Sequence, residues 1–137
     1  MPKKVSLFLM LALLIFAGVS HVAADTRPLS LAVGYEQALN LGDFEATAGL
    51  FADDARFVNT IGGEAIIGRD AIRALLENQS DPDRNYEVVW VTMAGNNLTM
   101  MVDISDRGIA WGRQTLDVVV EDGQIQSMET VGFRFLF

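Results

Sequence analysis

The apolar positions of the first half of the chain predict helices, and turn residues mark where these helices begin and end. From Leu29 to Leu41 apolar residues recur at mostly helical spacing, and Gly42 follows at the position where helices commonly end. Asp43 is placed to cap the next helix, because its carboxylate can accept a free N–H of the first turn. The pattern predicts three helices, over residues 29–41, 44–51 and 70–78, and one short strand over residues 56–59.

The second half changes to stretches rich in Val and aromatic residues, which are typical of β-strands. Turn signals separate them at Gly95-Asn96-Asn97, Asp106-Arg107-Gly108 and Glu121-Asp122-Gly123. The predicted strands cover residues 86–93, 98–104, 109–120 and 125–135. Helices followed by an antiparallel meander indicate the α+β class, with three N-terminal helices on one face of a curved, cone-shaped antiparallel sheet. Such a cone leaves an apolar cavity between its two layers.

The N-terminus has the three parts of a secretory signal peptide. Lys3 and Lys4 form a basic start, residues 5–19 are almost uninterruptedly apolar, and Val22-Ala23-Ala24 offers small residues before cleavage at Asp25. We expect residues 1–24 to be the signal peptide and residues 25–137 to be one domain, periplasmic or secreted. An uncleaved anchor is the alternative, although a spanning helix needs about 20 apolar residues. After removal of the leader no membrane association is expected.

Charge and composition then restrict the chemistry of the predicted domain. Both Lys and the single His lie before Asp25, the chain has no Cys, and eight Arg face 18 Asp and Glu. An acidic chain lacks the basic surface that phosphate binding needs, so no nucleic-acid partner is expected. Thiol, lysine and histidine chemistry and Cys/His zinc sites are excluded, and we expect no metal and no cofactor. Asp53-Asp54 and Asp81-Pro82-Asp83 are interpreted as solvated turns, since their spacing fits no calcium-binding loop.

Short motifs throughout the predicted domain resemble a known family. They are Tyr35, residues 41–46 (Leu-Gly-Asp-Phe-Glu-Ala), residues 51–55 (Phe-Ala-Asp-Asp-Ala), residues 67–72 (Ile-Gly-Arg-Asp-Ala-Ile), and residues 116–119 with 122–125. Together they resemble the SnoaL-like branch of the nuclear transport factor 2-like superfamily, over nearly all of the chain after the leader. The resemblance implies a cystatin-like α+β roll and a homodimer formed through the outer face of the sheet, with Trp90 as a candidate contact.

The resemblance extends to ketosteroid isomerase and implies a site made of Tyr35, Asn59 and Asp117. Tyr35 and Asp117 stand where that enzyme has the tyrosine and the aspartic acid of its oxyanion hole. Asn59 stands where its catalytic base belongs, and an amide cannot shuttle a proton between two carbons.

The residues alone leave ordinary structural roles open for all three. Asp117 has apolar neighbours on both sides, so it could be a buried carboxyl with a raised pKa, a solvated residue of the outer sheet face, or the partner of an Arg. Tyr35 could be a core aromatic, and Asn59 a strand-end residue that bonds its own turn. Strand alternation places Asp117 on the same face as Trp111, Arg113 and Thr115.

Six further residues are expected to contact a ligand in the cavity: Phe57, Met100, Val102, Trp111, Thr115 and Met128. The sequence therefore predicts an exported domain that binds a small apolar molecule and, because Asn59 replaces the base, has no ketosteroid isomerase activity. The alternative is an enzyme of the isomerase, hydratase or epoxide hydrolase type that uses Tyr35, Asn59 and Asp117. Members of the superfamily that open epoxides with a carboxylate-activated water need an Arg between two carboxylates, and Arg113 beside Asp117 is the candidate here.

Overall fold

The computed structural model describes residues 27–137, and the predicted signal peptide lies outside the described residues. Within them the chain forms three helices, α1 (Arg27–Leu41), α2 (Phe44–Gly49) and α3 (Arg69–Asn78). Six strands are described: β1 (Phe51–Val58), β2 (Ile66–Ile67), β3 (Arg84–Ala94), β4 (Asn97–Asp106), β5 (Ile109–Glu121) and β6 (Gln124–Phe135). The predicted α+β class, with helices against a curved and mostly antiparallel sheet, is confirmed.

The six strands form one curved, unclosed sheet in the order β2-β1-β6-β5-β4-β3. Strands β3 to β6 are joined by antiparallel hairpins, whereas β1 lies parallel to β6. Two of the hairpin turns have positive φ at both central residues, Arg107-Gly108 and Asp122-Gly123. This geometry follows the right-handed twist of the flanking strands, and glycine adopts it without strain.

Strand β1 is longer than the sequence pattern predicts. It begins at Phe51, which was expected to end the second helix, and the side chain of Phe51 is fully buried. Asp53 and Asp54, expected in a turn, lie within β1 where its pairing with β6 is irregular, and both stay exposed. Pairing of Phe51 with Ile125 therefore overrides the local helical pattern, as tertiary contacts often do.

Helix α1 covers the free edge of strand β3. Because β3 is the last strand of the sheet, half of its backbone groups face away from β4. The side-chain amide of Asn40 bonds both the C=O and the N–H of Tyr86, each at 2.8 Å. The buried carboxylate of Glu36, one turn earlier, accepts the N–H of Val88 at 2.9 Å. These contacts fix α1 over the inner face of the sheet, together with Tyr35 on the same helix.

Two bulges change which side chains of β6 face inward. The register between β5 and β6 shifts once between Val119 and Val120 and again between Thr115 and Leu116. The buried residues of β6 consequently follow no single alternation: Ile125 and Met128 are three residues apart, and Thr130 follows two later. Each bulge adds one residue to a strand and so moves the following side chains to the opposite face.

The core fills the end of the sheet nearest the β5–β6 turn. Phe51 packs edge to face against Tyr35 and Phe57, with ring centroids 6.2 and 6.0 Å apart. Arg69, at the start of α3, donates two hydrogen bonds of 2.9 and 2.8 Å to the C=O of Phe51 and so ties α3 to β1. None of the helices in residues 27–137 is long and apolar enough to cross a membrane.

Candidate functional site

A cavity of about 850 Å³ lies between the helices and the inner face of the sheet, and it borders the core at Tyr35 and Phe57. It opens where β1, β4 and β6 end and where β3 and β5 begin, so residues from every long strand reach its wall. The volume lies in the range of cavities that enclose small organic molecules.

Apolar side chains form most of the inner wall. Phe57 and Val102 lie there as predicted, and Leu76 of α3 and Leu116 of β5 lie with them. At the opening the wall continues with large apolar side chains that are exposed to solvent, namely Leu41, Ile61 and Phe133. Binding of a ligand by Phe57 and Val102 stays a prediction, whereas their position in the cavity is observed.

Tyr35 provides a hydrogen-bond donor inside the cavity. Its side chain is buried and lines the cavity, and no hydrogen bond to its hydroxyl is found within the described part of the chain. Burial, with a smaller contribution from the neighbouring Tyr86, raises the pKa of Tyr35 far above that of a free phenol. The hydroxyl therefore keeps its proton at any ordinary pH and can donate it to an oxygen of a ligand.

Asn59 also lines the cavity, near its opening. Its Nδ2 donates a hydrogen bond of 3.0 Å to the Oε1 of Gln79, at the end of α3. The amide thus joins β1 to α3 and presents no group that takes up a proton. Tyr35 and Asn59 are brought to one cavity, as the resemblance implied.

The expectation that Asp117 faces the cavity is wrong. Leu116 and Val118 point inward and are buried, so strand alternation turns Asp117 to the outer face, where it is exposed. There its Oδ1 accepts a hydrogen bond of 2.7 Å from the hydroxyl of Thr99. Asp117 therefore forms no oxyanion hole with Tyr35, and Arg113 bonds Asp103 instead, at 2.6 and 2.9 Å.

Four of the residues that were expected to line the cavity lie elsewhere. Thr115 shares the outer face with Asp117, because the two residues are two positions apart in β5 and every second side chain of a strand points to the same face. Met100 and Met128 are fully buried in the core, where packing rather than an opening surrounds them. Trp111 lies beside the cavity without lining it, with its ring 5.4 Å from the guanidinium carbon of Arg84.

Sequence analysis missed a polar pair in the wall, Gln114 and Thr130. The Nε2 of Gln114 donates a short hydrogen bond of 2.6 Å to the hydroxyl of Thr130, and both residues line the cavity. Gln114 lies two residues before Leu116 in β5, so strand alternation predicts that both side chains point to the same face. This is the signal in the sequence that could have placed Gln114 in the wall. Thr130 gives no such signal, since a bulge separates it from the rest of its strand.

A charged cluster at the opening was also missed. Arg84 lines the cavity and bonds Asp106 at 3.0 and 3.4 Å, and its Nη2 also lies 3.8 Å from the carboxylate of Asp81. The Arg84 guanidinium lowers the pKa of Asp106, while burial raises the pKa of Tyr86 next to it. Asp81, expected in a solvated turn, is the sole carboxylate in the cavity wall among residues 27–137.

The arrangement suits hydrogen bonding to a ligand better than proton transfer. The wall offers phenol, amide and hydroxyl groups, and the one carboxylate among its described residues lies at the opening beside a guanidinium. No group of three or more His, Asp or Glu that could hold a metal ion occurs in the described residues.

A helix-backed, curved sheet that encloses an open-ended cavity defines the nuclear transport factor 2-like class of proteins. The family profile of the SnoaL-like domain matches residues 32–128. The chain belongs to this SnoaL-like family, and the superfamily resemblance seen in its motifs is confirmed. Among curated proteins none matches the sequence significantly.

Solved structures show the same fold at low sequence identity. A protein from Kribbella flavida DSM 17836, provisionally named a ketosteroid isomerase, is 21% identical with a TM-score of 0.65, over 76% of this chain and 76% of that chain. A provisionally named polyketide cyclase from Sinorhizobium meliloti is 22% identical with a TM-score of 0.65, over 74% and 93%. An NTF-2 like protein of unknown function from Burkholderia xenovorans LB400 is 22% identical with a TM-score of 0.68, over 81% and 84%.

Proposed function

We propose that this protein is an exported SnoaL-like domain that binds a small, largely apolar molecule through an oxygen atom of that molecule. The observation that carries the proposal is Tyr35, a buried residue of the cavity wall whose hydroxyl has no hydrogen-bond partner in the described part of the chain. A hydroxyl that lines a cavity without a protein partner is free to donate a hydrogen bond to an oxygen of a ligand. Two structural neighbours bear names that refer to ketosteroids and polyketides, which are apolar molecules with ketone oxygens.

Ketosteroid isomerase activity is not part of this proposal. Isomerisation needs a group that accepts a proton from one carbon and returns it to another. The position of the base is taken by the amide of Asn59, and the single carboxylate of the described wall, Asp81, lies beside Arg84. Binding without turnover is the result.

A fluorescence titration with 2-naphthol tests the proposal. The wild type should bind, and Tyr35→Phe should weaken binding about fivefold, since one hydrogen bond contributes about 1 kcal/mol. Asp117→Asn is the matched control and should bind as the wild type does, because Asp117 lies on the outer face. No binding by the wild type, or equal affinities for wild type and Tyr35→Phe, would contradict the proposal.

A second candidate function is epoxide hydrolysis, favoured by the position of Arg84 between two carboxylates. In that reaction Asp81 would take a proton from a water molecule, whose oxygen would attack an epoxide carbon. The C–O bond of the ring would break, and the resulting alkoxide would take up a proton from solvent. Incubation with styrene oxide should then yield the diol, and Asp81→Asn should abolish it. Absence of diol with the wild type rejects this candidate.

Export is proposed from the leader in residues 1–24. N-terminal sequencing of protein recovered from the periplasm or medium should begin at Asp25. A chain that begins at Met1 and stays in the membrane fraction would indicate an uncleaved anchor instead.

We also propose that the domain is a homodimer through its outer sheet face. Trp90, Met101 and Thr115 are neighbours on three adjacent strands of that face. Trp90 is 43% exposed while Met101 and Thr115 are half-buried, and this strip offers contact area to a second copy of the domain. Sedimentation should show a dimer for the wild type and a monomer for Thr115→Glu, which places a charge in the strip. Asn96→Glu, in the β3–β4 turn, should leave the dimer intact, and a monomeric wild type would contradict the proposal.

A further inference from the structure

Apart from Tyr35, the wall of the cavity contains a second hydrogen-bonding site, which is formed by Gln114 and Thr130. On β5 the side chain of Gln114 lies between Val102 of β4 and Phe133 of β6, its partners in the two ladders. Its bonded partner Thr130 is only 4% exposed and lies opposite the buried Leu116. An amide and a hydroxyl therefore occupy a wall whose other side chains at this level are apolar.

The amide of Gln114 has hydrogen-bonding capacity that the described residues do not use. A side-chain amide offers one acceptor oxygen and two N–H donors. One N–H is used on Thr130, and within residues 27–137 neither Oε1 nor the second N–H has a hydrogen-bond partner. A ligand that fills the cavity and leaves these atoms unpaired loses binding energy, whereas a ligand that pairs them is selected.

We propose that Gln114 binds a hydroxyl group of the ligand, which makes it a specificity-determining residue. The inference rests on the proposed function and extends it. Tyr35 donates a hydrogen bond to one oxygen of the ligand, while Gln114 can both donate to and accept from a hydroxyl. The two side chains therefore recognise different oxygen groups. The ligand class is an apolar molecule with two oxygens on different parts of its skeleton, one of them a hydroxyl.

Naphthalene probes distinguish the contribution of Gln114 to binding from that of Tyr35. Affinities of 2-naphthol, its 2,6-, 2,7- and 1,5-dihydroxy relatives, and the monomethyl ethers of these diols are measured by fluorescence titration. At least one diol should bind the wild type about fivefold more tightly than 2-naphthol, as expected for one additional hydrogen bond. Its monomethyl ether should lose most of this gain, because an ether oxygen accepts but does not donate.

Gln114→Leu removes the amide with little change of volume and should abolish the preference for the diol. Its affinity for 2-naphthol should fall less than its affinity for the diol, and circular dichroism with urea unfolding shows separately that the variant is folded. Gln126→Leu is the matched control, since Gln126 bonds the exposed Asp54 and does not line the cavity. Equal affinities of the wild type for all diols and 2-naphthol, or a preference that survives in Gln114→Leu, would overturn the inference while leaving Tyr35-dependent binding intact. Failure of every probe would overturn the proposed function as well.

Discussion

The side-chain amide of Asn40 pairs with the backbone of Tyr86 as a neighbouring strand would, with one N–H···O bond in each direction. A residue of helix α1 thus forms hydrogen bonds with the free edge of the sheet at β3, the strand that carries part of the cavity wall.

Asn40→Ala should therefore destabilise the domain by about 2 kcal/mol, because the N–H and C=O of Tyr86 lose their partners in a part-buried position. Urea unfolding measures the change. Asn78→Ala, at the exposed end of α3, is the control and should change stability by less than about 0.5 kcal/mol. Equal effects of the two substitutions would show that the pairing does not stabilise the fold.

Asn59→Asp should introduce enone isomerase activity, which we expect the wild type not to have. The new carboxylate would supply the proton acceptor, and such a group contributes about 10²–10⁴-fold in rate. Conversion of a β,γ-unsaturated ketone, followed by ultraviolet absorbance, measures the activity. Asn59→Leu, which has similar volume and no base, should stay inactive, and an inactive Asn59→Asp would show that the wall does not place the substrate near residue 59.

Gly112→Ala should displace Phe133 and change the affinity for cavity ligands. A Cβ at residue 112 would lie 2.8 Å from the Cζ of Phe133, so the aromatic ring must move. We expect a loss of about 1–3 kcal/mol in stability, as for other overpacked sites, together with altered 2-naphthol binding. Gly132→Ala, whose Cβ would meet Thr115 on the outer face, should alter stability without altering binding.

Asp106 should make the stability of the domain depend on pH in acid. Its hydrogen bonds with Arg84 lower its pKa in the folded state, so the pair stabilises the fold above the ordinary carboxyl pKa. This stabilisation is lost as the pH falls through the folded pKa. Urea midpoints between about pH 6 and about pH 2 should decline less steeply in Asp106→Asn than in the wild type. Parallel curves would contradict the role of the pair.

The two tyrosines of the chain, Tyr35 and Tyr86, should lose their protons less readily in the folded protein than in the unfolded chain. Burial raises the pKa of both, whereas in the unfolded chain they lose their protons near the ordinary value. Stability should consequently fall as the pH rises above about 10, because the unfolded state ionises first. Absorbance at 295 nm should show tyrosinate at a higher pH in the folded protein than in the protein unfolded by urea, and Tyr35→Phe should reduce the alkaline loss of stability.

The elements of the fold could be predicted because their signals are local. Glycine turns and apolar periodicity mark the hairpins and helices, and Asp43 does cap α2, accepting the N–H of Ala46 at 3.0 Å. Strand β2 could not be predicted, since a strand of two residues is too short to show an alternation of apolar and polar positions. Strand β1 was predicted too short, because Phe51 owes its extended backbone to β6, far along the chain.

The site was predicted less well because it depends on which face of each strand is inward. Alternation correctly grouped Thr115 with Asp117, but a period of two does not tell the inner face from the outer one. Leu116, Val118 and Val120 are apolar at every second position, and this pattern did indicate which face of β5 is the inner one. The placement of Arg84 and Asp106 could not be predicted, since cross-strand register brings them together over a distance of 22 residues.

The parallel pair of β1 and β6 has a consequence for the order of folding. The four later strands join through short hairpins, while β1 must close a loop of about 70 residues to reach β6, which costs more chain entropy. We expect β1 to join last, and since it carries Phe57 and leads into Asn59, the ligand cavity is completed only in the native state. A cavity ligand should then slow unfolding and leave the refolding rate unchanged.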